Sequence, residues 1–180
     1  PIFTELTLTG ATVITHPVNL GKGAAIRTGL NWARIYQPRQ VVVTADADGQ
    51  HLVRDILRVG ARTATHADSG KHSLVLGVRT LPDNTAQGSG TVPVRSKVGN
   101  ALTIGFFTLA TGTRLADTQT GLRGFTPQII EWALNIPGDK YEYEFTMLLR
   151  ATRAGVNLVQ VPIVKVYEPG NPTSHFRPVR

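Results

Sequence analysis

The strongest constraint on this chain is one stretch in which a strand-forming run meets a cluster of polar side chains. Residues 41–43 are three valines, a composition typical of a strand that is buried on both faces. Asp46, Asp48, Gln50 and His51 follow, separated by small residues. Because ligands of open parallel sheets bind at the carboxyl ends of strands, these side chains lie where a ligand would sit. The stretch predicts an α/β fold with a ligand site behind this strand.

The spacing of the two carboxylates indicates what the ligand could be. Asp46 and Asp48 are two residues apart, so both leave an extended backbone on the same side. Two like charges held close together need a cation or hydrogen-bond donors to neutralise them. Carboxylate and carboxamide oxygens suit Mg²⁺ or Mn²⁺, ions that commonly join a protein to phosphates. Asp46, Asp48 and Gln50 are therefore candidate metal ligands, and an ordinary Asp-rich turn is the alternative.

Two further segments offer cations for a phosphate. The glycine-rich loop at residues 19–23 contains Lys22 and precedes a helical pattern, which puts backbone N–H groups beside a phosphate-sized space. The alternative is a strand-to-helix turn with a solvated lysine. Arg79 ends the apolar strand pattern of residues 73–79, and its planar fork of donors suits a diphosphate. A salt bridge at the rim of the site is the alternative for Arg79.

The second half of the chain contains one unusually polar segment. Residues 117–125 include Asp117 and Arg123 between apolar elements, and buried polar groups must be paired. The segment is therefore either a structural hydrogen-bond knot or an acceptor pocket. Residues 97–110 predict an apolar helix, placed in the core or, alternatively, against a membrane. Glu142 and Glu144 near a helix start complement its dipole and are not ranked as catalytic.

Composition narrows the function classes. The 180 residues suffice for one domain with a core, and the lack of cysteine excludes disulfides and thiolate chemistry. The net charge of +7 favours anionic partners, and its scattered distribution favours phosphates and lipid phosphates over nucleic acid. No apolar run is long enough to span a bilayer.

Residues 46–51, Asp-Ala-Asp-Gly-Gln-His, resemble the donor motif of family 2 glycosyltransferases, which have the GT-A fold. The resemblance is greatest to the branch of dolichol-phosphate mannose synthase and other polyprenyl-phosphate glycosyltransferases. Residues 19–25, residues 117–125, and residues 161–163 with 174–177 match the same branch in the same order. The resemblance implies a single α/β domain over residues 1–180, with a mostly parallel sheet flanked by helices and a tail or lid at 167–180.

The resemblance also implies roles for individual residues. Donor binding is expected of Lys22, Asp46, Ala47, Asp48, Gln50, Arg79 and Arg95. Acceptor binding is expected of Arg123, Ser174, His175 and Arg177. Asp48 and Asp117 are the expected catalytic residues, the latter facing the junction of sugar and phosphate.

The implied reaction is transfer of a sugar from a GDP- or UDP-sugar to a polyprenyl phosphate, with inversion and with Mg²⁺ or Mn²⁺. Its place would be the inner, cytoplasmic face of a membrane, to which the protein is peripheral. A sugar-nucleotide pyrophosphorylase and a non-catalytic nucleotide-sugar binding fragment are the alternatives, although the glycine-rich signature of the pyrophosphorylases is missing.

The chain departs from the family at two points. Val78 stands where the family usually has serine, and the family's amino-terminal unit, which grips the nucleoside, has no counterpart here. We therefore expect a GT-A fold that is truncated at its amino end, with an uncovered sheet edge and weak binding of the donor.

Overall fold

A computed structural model describes residues 2–79 and 94–164, with side chains described for 5–79 and 103–164. The helices of this part are α1 (Ile2–Leu8), α2 (Lys22–Tyr36), α3 (Val53–Asp68), α4 (Val94–Thr111), α5 (Pro127–Leu134) and α6 (Glu142–Arg153). Its strands are β1 (Val42–Thr44), β2 (Ser73–Arg79), β3 (Arg123–Phe125) and β4 (Asn157–Ile163).

The four strands form one mixed sheet in the order β1-β3-β2-β4. β2 and β4 are parallel, whereas β3 lies antiparallel between β1 and β2. Three of the four described strands therefore point the same way, and β3 runs against them. This arrangement, with helices against the sheet, confirms the predicted α/β class and is consistent with a GT-A fold.

The register of β3 determines where the site forms. Arg123, the first residue of β3, lies opposite Thr44 of β1 and Leu76 of β2. Because β3 runs in the reverse direction, the segment that enters it arrives at the edge of the sheet where β1 and β2 end. The polar segment that precedes Arg123 thus meets the residues that follow β1 and β2.

Helices cover both faces of the sheet, with an apolar cluster on each. The larger cluster joins the sheet to α2, α4, α5 and α6 and contains, among others, Leu30, Leu74, Phe107, Phe125, Ile129, Tyr143 and Met147. The smaller cluster lies beneath α3 and consists of Val59, Val75, Leu122, Val161 and Ile163. Burial of these side chains supplies the main driving force for folding.

Some local predictions are wrong and others are sharpened. β1 is half-buried and not fully buried, because within the described sheet it pairs with β3 alone. Val13 and Ile14 predict a short strand at residues 11–16, but these residues do not form one. The helix predicted at residues 97–110 is present as α4, and Phe107 inserts into the core while Phe106 is exposed.

Two other expectations concern the ends of the described part. The turn residues of 81–94 predict a loop; residues 81–93 lie outside the described residues, whereas Val94 begins α4. The predicted tail at residues 167–180 also lies outside the described residues. Among the helices that the structure describes, none has the length and apolar character required to cross a membrane.

Candidate functional site

One pocket lies at the edge of the sheet where β1 and β2 end. Four of the predicted site residues line it although they come from two separate segments of the chain. The lining is formed by Asp46, Asp48, Gln50, His51, Arg79, Gln119, Thr120, Gly121 and Ile163. The structure thus brings these side chains together at the carboxyl ends of β1 and β2.

Asp48 belongs to a tight turn at the mouth of this pocket. Its Oδ1 accepts a hydrogen bond from the Gln50 N–H at 3.0 Å, which closes an Asx-turn. Gly49 within the turn has φ +76°, a left-handed conformation that favours glycine. The turn holds Asp48 half-buried while its carboxylate lines the pocket.

Asp46 is held by Lys22, by His51 and by close packing. Lys22 Nζ lies 2.7 Å from Asp46 Oδ1, and His51 Nε2 lies 3.8 Å from Oδ2. His51 and then Lys22 favour the ionised form, so the pKa of Asp46 falls to about 2 from its usual 3.8, although burial opposes this. A Cβ added at Gly121 would lie 2.6 Å from Asp46 Cγ, so only glycine fits beneath the carboxylate.

The glycine-rich loop around Lys22 packs against protein. Gly23 lies so close to Tyr143 that an added Cβ would meet the Tyr143 Cβ at 2.6 Å. The Ala24 N–H donates to the Asp139 carbonyl at 3.0 Å. The space predicted for a phosphate at this helix start is therefore occupied by the segment that leads into α6. Lys22 is partly exposed and contacts two carboxylates.

The second carboxylate at Lys22 belongs to Glu144, which was not predicted to be a site residue. Glu144 Oε2 lies 2.7 Å from Lys22 Nζ, and Glu144 Oε1 lies 3.8 Å from Arg123 Nε. Asp46, Lys22, Glu144 and Arg123 thus form a chain of alternating charges, here called the lysine network. A charged residue inside a buried strand needs a counter-charge nearby, and this property of Arg123 was the signal that could have led to Glu144.

Arg123 is buried, with 1% of its surface exposed. It donates to the Thr120 carbonyl at 3.0 Å and to the Glu144 carbonyl at 2.7 Å. Burial lowers the pKa of Arg123 below its usual value, while the charges of Glu144 and Asp117 oppose that change. In this position Arg123 holds the backbone together, so its acceptor-binding role stays a prediction that the geometry does not support.

Arg79 and Asp117 form a separate, two-pronged ion pair at the pocket. Arg79 Nε lies 2.6 Å from Asp117 Oδ2, and Nη2 lies 3.1 Å from Oδ1. The Gln119 N–H also donates to Asp117 Oδ1, at 2.9 Å. The polar segment is therefore a hydrogen-bond knot, which includes the salt bridge considered for Arg79, and it also lines the pocket.

Other predicted site residues contribute less to this geometry. Ala47 is exposed between the two aspartates. Arg95 lies in α4, but its side chain is outside the described part. Ser174, His175 and Arg177 lie outside the described residues altogether. The roles assigned to these five residues stay predictions.

The donor set fits a cation that is shared with phosphates. No group of three or more His, Cys, Asp or Glu side chains that could enclose a metal occurs in the described ranges. Mg²⁺ commonly takes one or two protein carboxylates and completes its shell with phosphates and water. Asp48 lines the pocket and meets that need, whereas Asp46 is in contact with Lys22. The metal-binding roles of Asp46, Asp48 and Gln50 stay predictions.

Comparison with known proteins supports the same class of enzyme. No protein-family model matches the chain. The chain is 33% identical over 157 residues to the UDP-N-acetylglucosamine–dolichyl-phosphate N-acetylglucosaminyltransferase of Methanococcus voltae. The aligned region covers 86% of this chain and 59% of that protein. The chain is also 29% identical over 160 residues to an uncharacterized protein of Methanocaldococcus jannaschii, covering 88% of this chain and 62% of that protein.

A third relative is the dolichyl-phosphate beta-glucosyltransferase ALG5C of Trichomonas vaginalis, 23% identical over 155 residues, covering 84% of this chain and 43% of that protein. The chain thus spans about three fifths or less of the length of these relatives. These similarities support a glycosyltransferase of the family 2 kind. The narrower assignment to the mannose synthase branch stays a prediction.

Proposed function

We propose that this chain transfers a sugar from a nucleotide-diphosphate sugar to a polyprenyl phosphate such as dolichyl phosphate. One observation carries the proposal: a single pocket joins Asp48 and Gln50 to the Arg79–Asp117 pair, in a chain similar to proteins named for transfer to dolichyl phosphate. A net charge of +7 suits a protein whose two substrates and membrane surface are all anionic. We place the reaction at the cytoplasmic face of a membrane, with the protein peripheral to it.

The donor diphosphate would lie against the residues that follow β1. Asp48 and Gln50, with Asp46 beside them, would hold Mg²⁺ or Mn²⁺, and the bound ion would offset the charge that develops on the departing diphosphate. Arg79 lines the same pocket and suits the phosphates through its planar donors. Lys22 does not line the pocket, but its ammonium contacts Asp46 and holds that carboxylate in place.

The acceptor explains why the site needs no strong base. A lipid phosphate is already an anion at neutral pH, so no proton has to be removed before it attacks. Its oxygen forms a bond to the anomeric carbon as the bond from that carbon to the diphosphate oxygen breaks. Attack opposite the leaving group inverts the anomeric centre. Asp117, which accepts two hydrogen bonds from Arg79, then orients the guanidinium; it would be the base only for a hydroxyl acceptor.

A UDP-sugar is the first donor to test. The name of the Methanococcus voltae relative specifies UDP-N-acetylglucosamine as its substrate. We therefore propose a UDP-sugar donor, and GDP-mannose, the donor expected for the mannose synthase branch, is the comparison.

The test is a transfer assay with the full chain. Labelled UDP-N-acetylglucosamine, UDP-glucose and GDP-mannose are each incubated with dolichyl phosphate and Mg²⁺, Mn²⁺ or a chelator, and the lipid fraction is counted. We expect label in the lipid with one donor, loss of transfer with the chelator, and inversion in the NMR spectrum of the product. Asp48→Asn should reduce kcat by about 100-fold or more, whereas Asp68→Asn at the exposed end of α3 should not.

Each alternative function has its own outcome in this assay. Release of sugar phosphate that depends on pyrophosphate would identify a pyrophosphorylase. Nucleotide binding without turnover of any donor would identify a binding module. Either result, or full activity of the Asp48→Asn variant, would contradict the proposal.

A further inference from the structure

The lysine network extends from the pocket into the interior of the protein. Asp46 lines the pocket, whereas Lys22, Glu144 and Arg123 do not. Lys22 Nζ stands midway, 2.7 Å from Asp46 Oδ1 and 2.7 Å from Glu144 Oε2. A single ammonium therefore links a carboxylate of the site to one that is 8% exposed in α6. Two positive and two negative charges alternate along the network, so it carries no net charge.

The backbone around Lys22 is fixed tightly enough to aim that ammonium. Gly21 has φ +97°, and any Cβ there would overlap the Asp139 carbonyl. Gly23 packs on the Tyr143 Cβ, next to Glu144 in sequence. The loop before α2 is thus docked directly on the start of α6. The contact between Lys22 and Glu144 therefore depends on the packing of these two backbone segments, in addition to the conformation of the Lys22 side chain.

Glu144 is itself held on the side away from the pocket. The backbone carbonyl of Glu144 accepts from Arg123 Nη1 at 2.7 Å, and its Oε1 lies 3.8 Å from Arg123 Nε. Asp46 is confined in turn by Gly121 beneath it. Each member of the network therefore has one neighbour on either side that restricts its movement.

We propose that Glu144 is a positioning residue for the donor site and that it acts through Lys22 on Asp46. The proposal rests on the proposed function, because it assumes that the donor binds beside Asp46 and Asp48. Without the Glu144 carboxylate, the Lys22 ammonium keeps only its contact with Asp46. The ammonium is then free to move, either together with the Asp46 carboxylate or away from it. Asp46 then loses its fixed place two residues before Asp48. A displacement of about 1 Å at a reacting centre can reduce the rate by about 100-fold.

A purely structural role for Glu144 makes a different prediction. In that case Glu144 would serve only to balance the buried charge of Arg123, and the state of Lys22 would not matter. A double-mutant cycle separates the two roles, because residues that act through one another give non-additive effects. The cycle combines Glu144→Gln with Lys22→Met. Glu142→Gln, two residues earlier in α6 and exposed, is the matched control.

Two measurements are made on each variant of the full chain: kcat/KM for transfer, and the Kd of Mn²⁺ with UDP by calorimetry. We expect Glu144→Gln to reduce kcat/KM by about tenfold and to weaken nucleotide binding, while Glu142→Gln does neither. In the Lys22→Met background, Glu144→Gln should have no further effect. Lys22→Arg should recover part of what Lys22→Met loses, because it restores the cation.

The outcomes distinguish this proposal from the proposed function. If the wild type transfers sugar and Glu144→Gln matches Glu142→Gln, the positioning role is wrong while the function stands. If no donor is transferred but Glu144→Gln weakens Mn²⁺ and UDP binding through Lys22, the function is wrong while the positioning role stands. Additive effects of the two substitutions overturn the positioning role. Should Glu144→Gln fail to fold, Lys22→Gln against Lys71→Gln tests the same link from its other end.

Discussion

Two ion arrangements border the same pocket and differ in how they neutralise charge. The lysine network joins four segments of the chain through single contacts, and its Arg123 is completely buried. The Arg79–Asp117 pair joins two segments through two parallel hydrogen bonds, and 30% of the Arg79 side chain is exposed. The network extends from the core to the edge of the pocket. The pair is part of the site wall.

This difference predicts where damage will be felt. Arg123 Nη2 and Glu144 Oε1 have no hydrogen-bond partner among the described residues, so the burial of these two groups is offset by the attraction between their charges and by Lys22, which contacts Glu144 Oε2. Removal of one member should therefore reduce stability first. Asp117 is fully paired by Arg79 and by the Gln119 N–H, and Arg79 also meets solvent. A change in the pair should therefore reduce activity more than stability.

The largest expected effect comes from the buried end of the network. Arg123→Met should lower the free energy of unfolding by about 3–5 kcal/mol, because it breaks the buried ion pair with Glu144 and leaves the Thr120 and Glu144 carbonyls without their donor. Urea unfolding followed by circular dichroism measures this. The control is Arg34→Met, whose exposed guanidinium lies 3.7 Å from Glu131 and should contribute below about 1 kcal/mol. Equal losses in both variants would remove the distinction between core network and surface pair.

The next effect concerns the contact between Asp46 and the glycine beneath it. Gly121→Ala places a Cβ where the Asp46 carboxylate now lies, so Asp46 must move. We expect a loss of about 1–3 kcal/mol in stability, together with weaker binding of Mn²⁺ and UDP in calorimetry. Gly105→Ala in α4 is the control, since a Cβ there has no neighbour within 4 Å. Unchanged nucleotide binding by Gly121→Ala would show that Asp46 need not be fixed.

A smaller effect on stability is expected at the Arg79–Asp117 pair. Arg79→Lys keeps the charge but loses the two-pronged geometry, which should cost about 1–2 kcal/mol of stability. The transfer rate should fall by about tenfold or more, because Arg79 lines the pocket. Arg34→Lys serves as control for the chemical change. If stability fell while kcat/KM stayed unchanged, the pair would belong with the core network.

The side chains at the pocket wall could be predicted from the sequence. The run of valines before Asp46 and the apolar strand that ends at Arg79 are local patterns, and the rule on strand ends then brings their polar residues together. The concentration of polar groups around Asp117 indicated either a knot or a pocket, and the structure shows a knot that lines a pocket. These predictions needed only periodicity and short-range composition.

The lysine network could not be predicted in the same way, since it depends on contacts between distant segments of the chain. Lys22 and Glu144 are neighbours only because α2 and α6 start side by side. β3 has three residues, too few for a periodic pattern, so its antiparallel place between β1 and β2 was not visible. The glycines at 21 and 23 indicated a close approach correctly, but a pattern of glycines does not say whether a phosphate or another helix approaches.

The smallest effect is the pH response of Asp46, and it distinguishes the two partners of that carboxylate. Because its folded pKa of about 2 lies below the usual 3.8, the stability that Asp46 contributes is present above about pH 3.8 and is lost as the pH falls through about 2. Between pH 5 and 8 the ionisation of Asp46 should therefore not change stability.

His51→Gln and Lys22→Met should each raise the pKa of Asp46, since each removes a group that favours the ionised form. The ¹³C shift of the Asp46 carboxyl, followed by NMR from pH 6 to 2, measures this against Lys71→Met as control. A pKa that stays near 2 in the Lys22→Met variant would mean that His51 and the surrounding backbone hold Asp46 without the lysine, and that the network ends at Glu144 and does not reach the site.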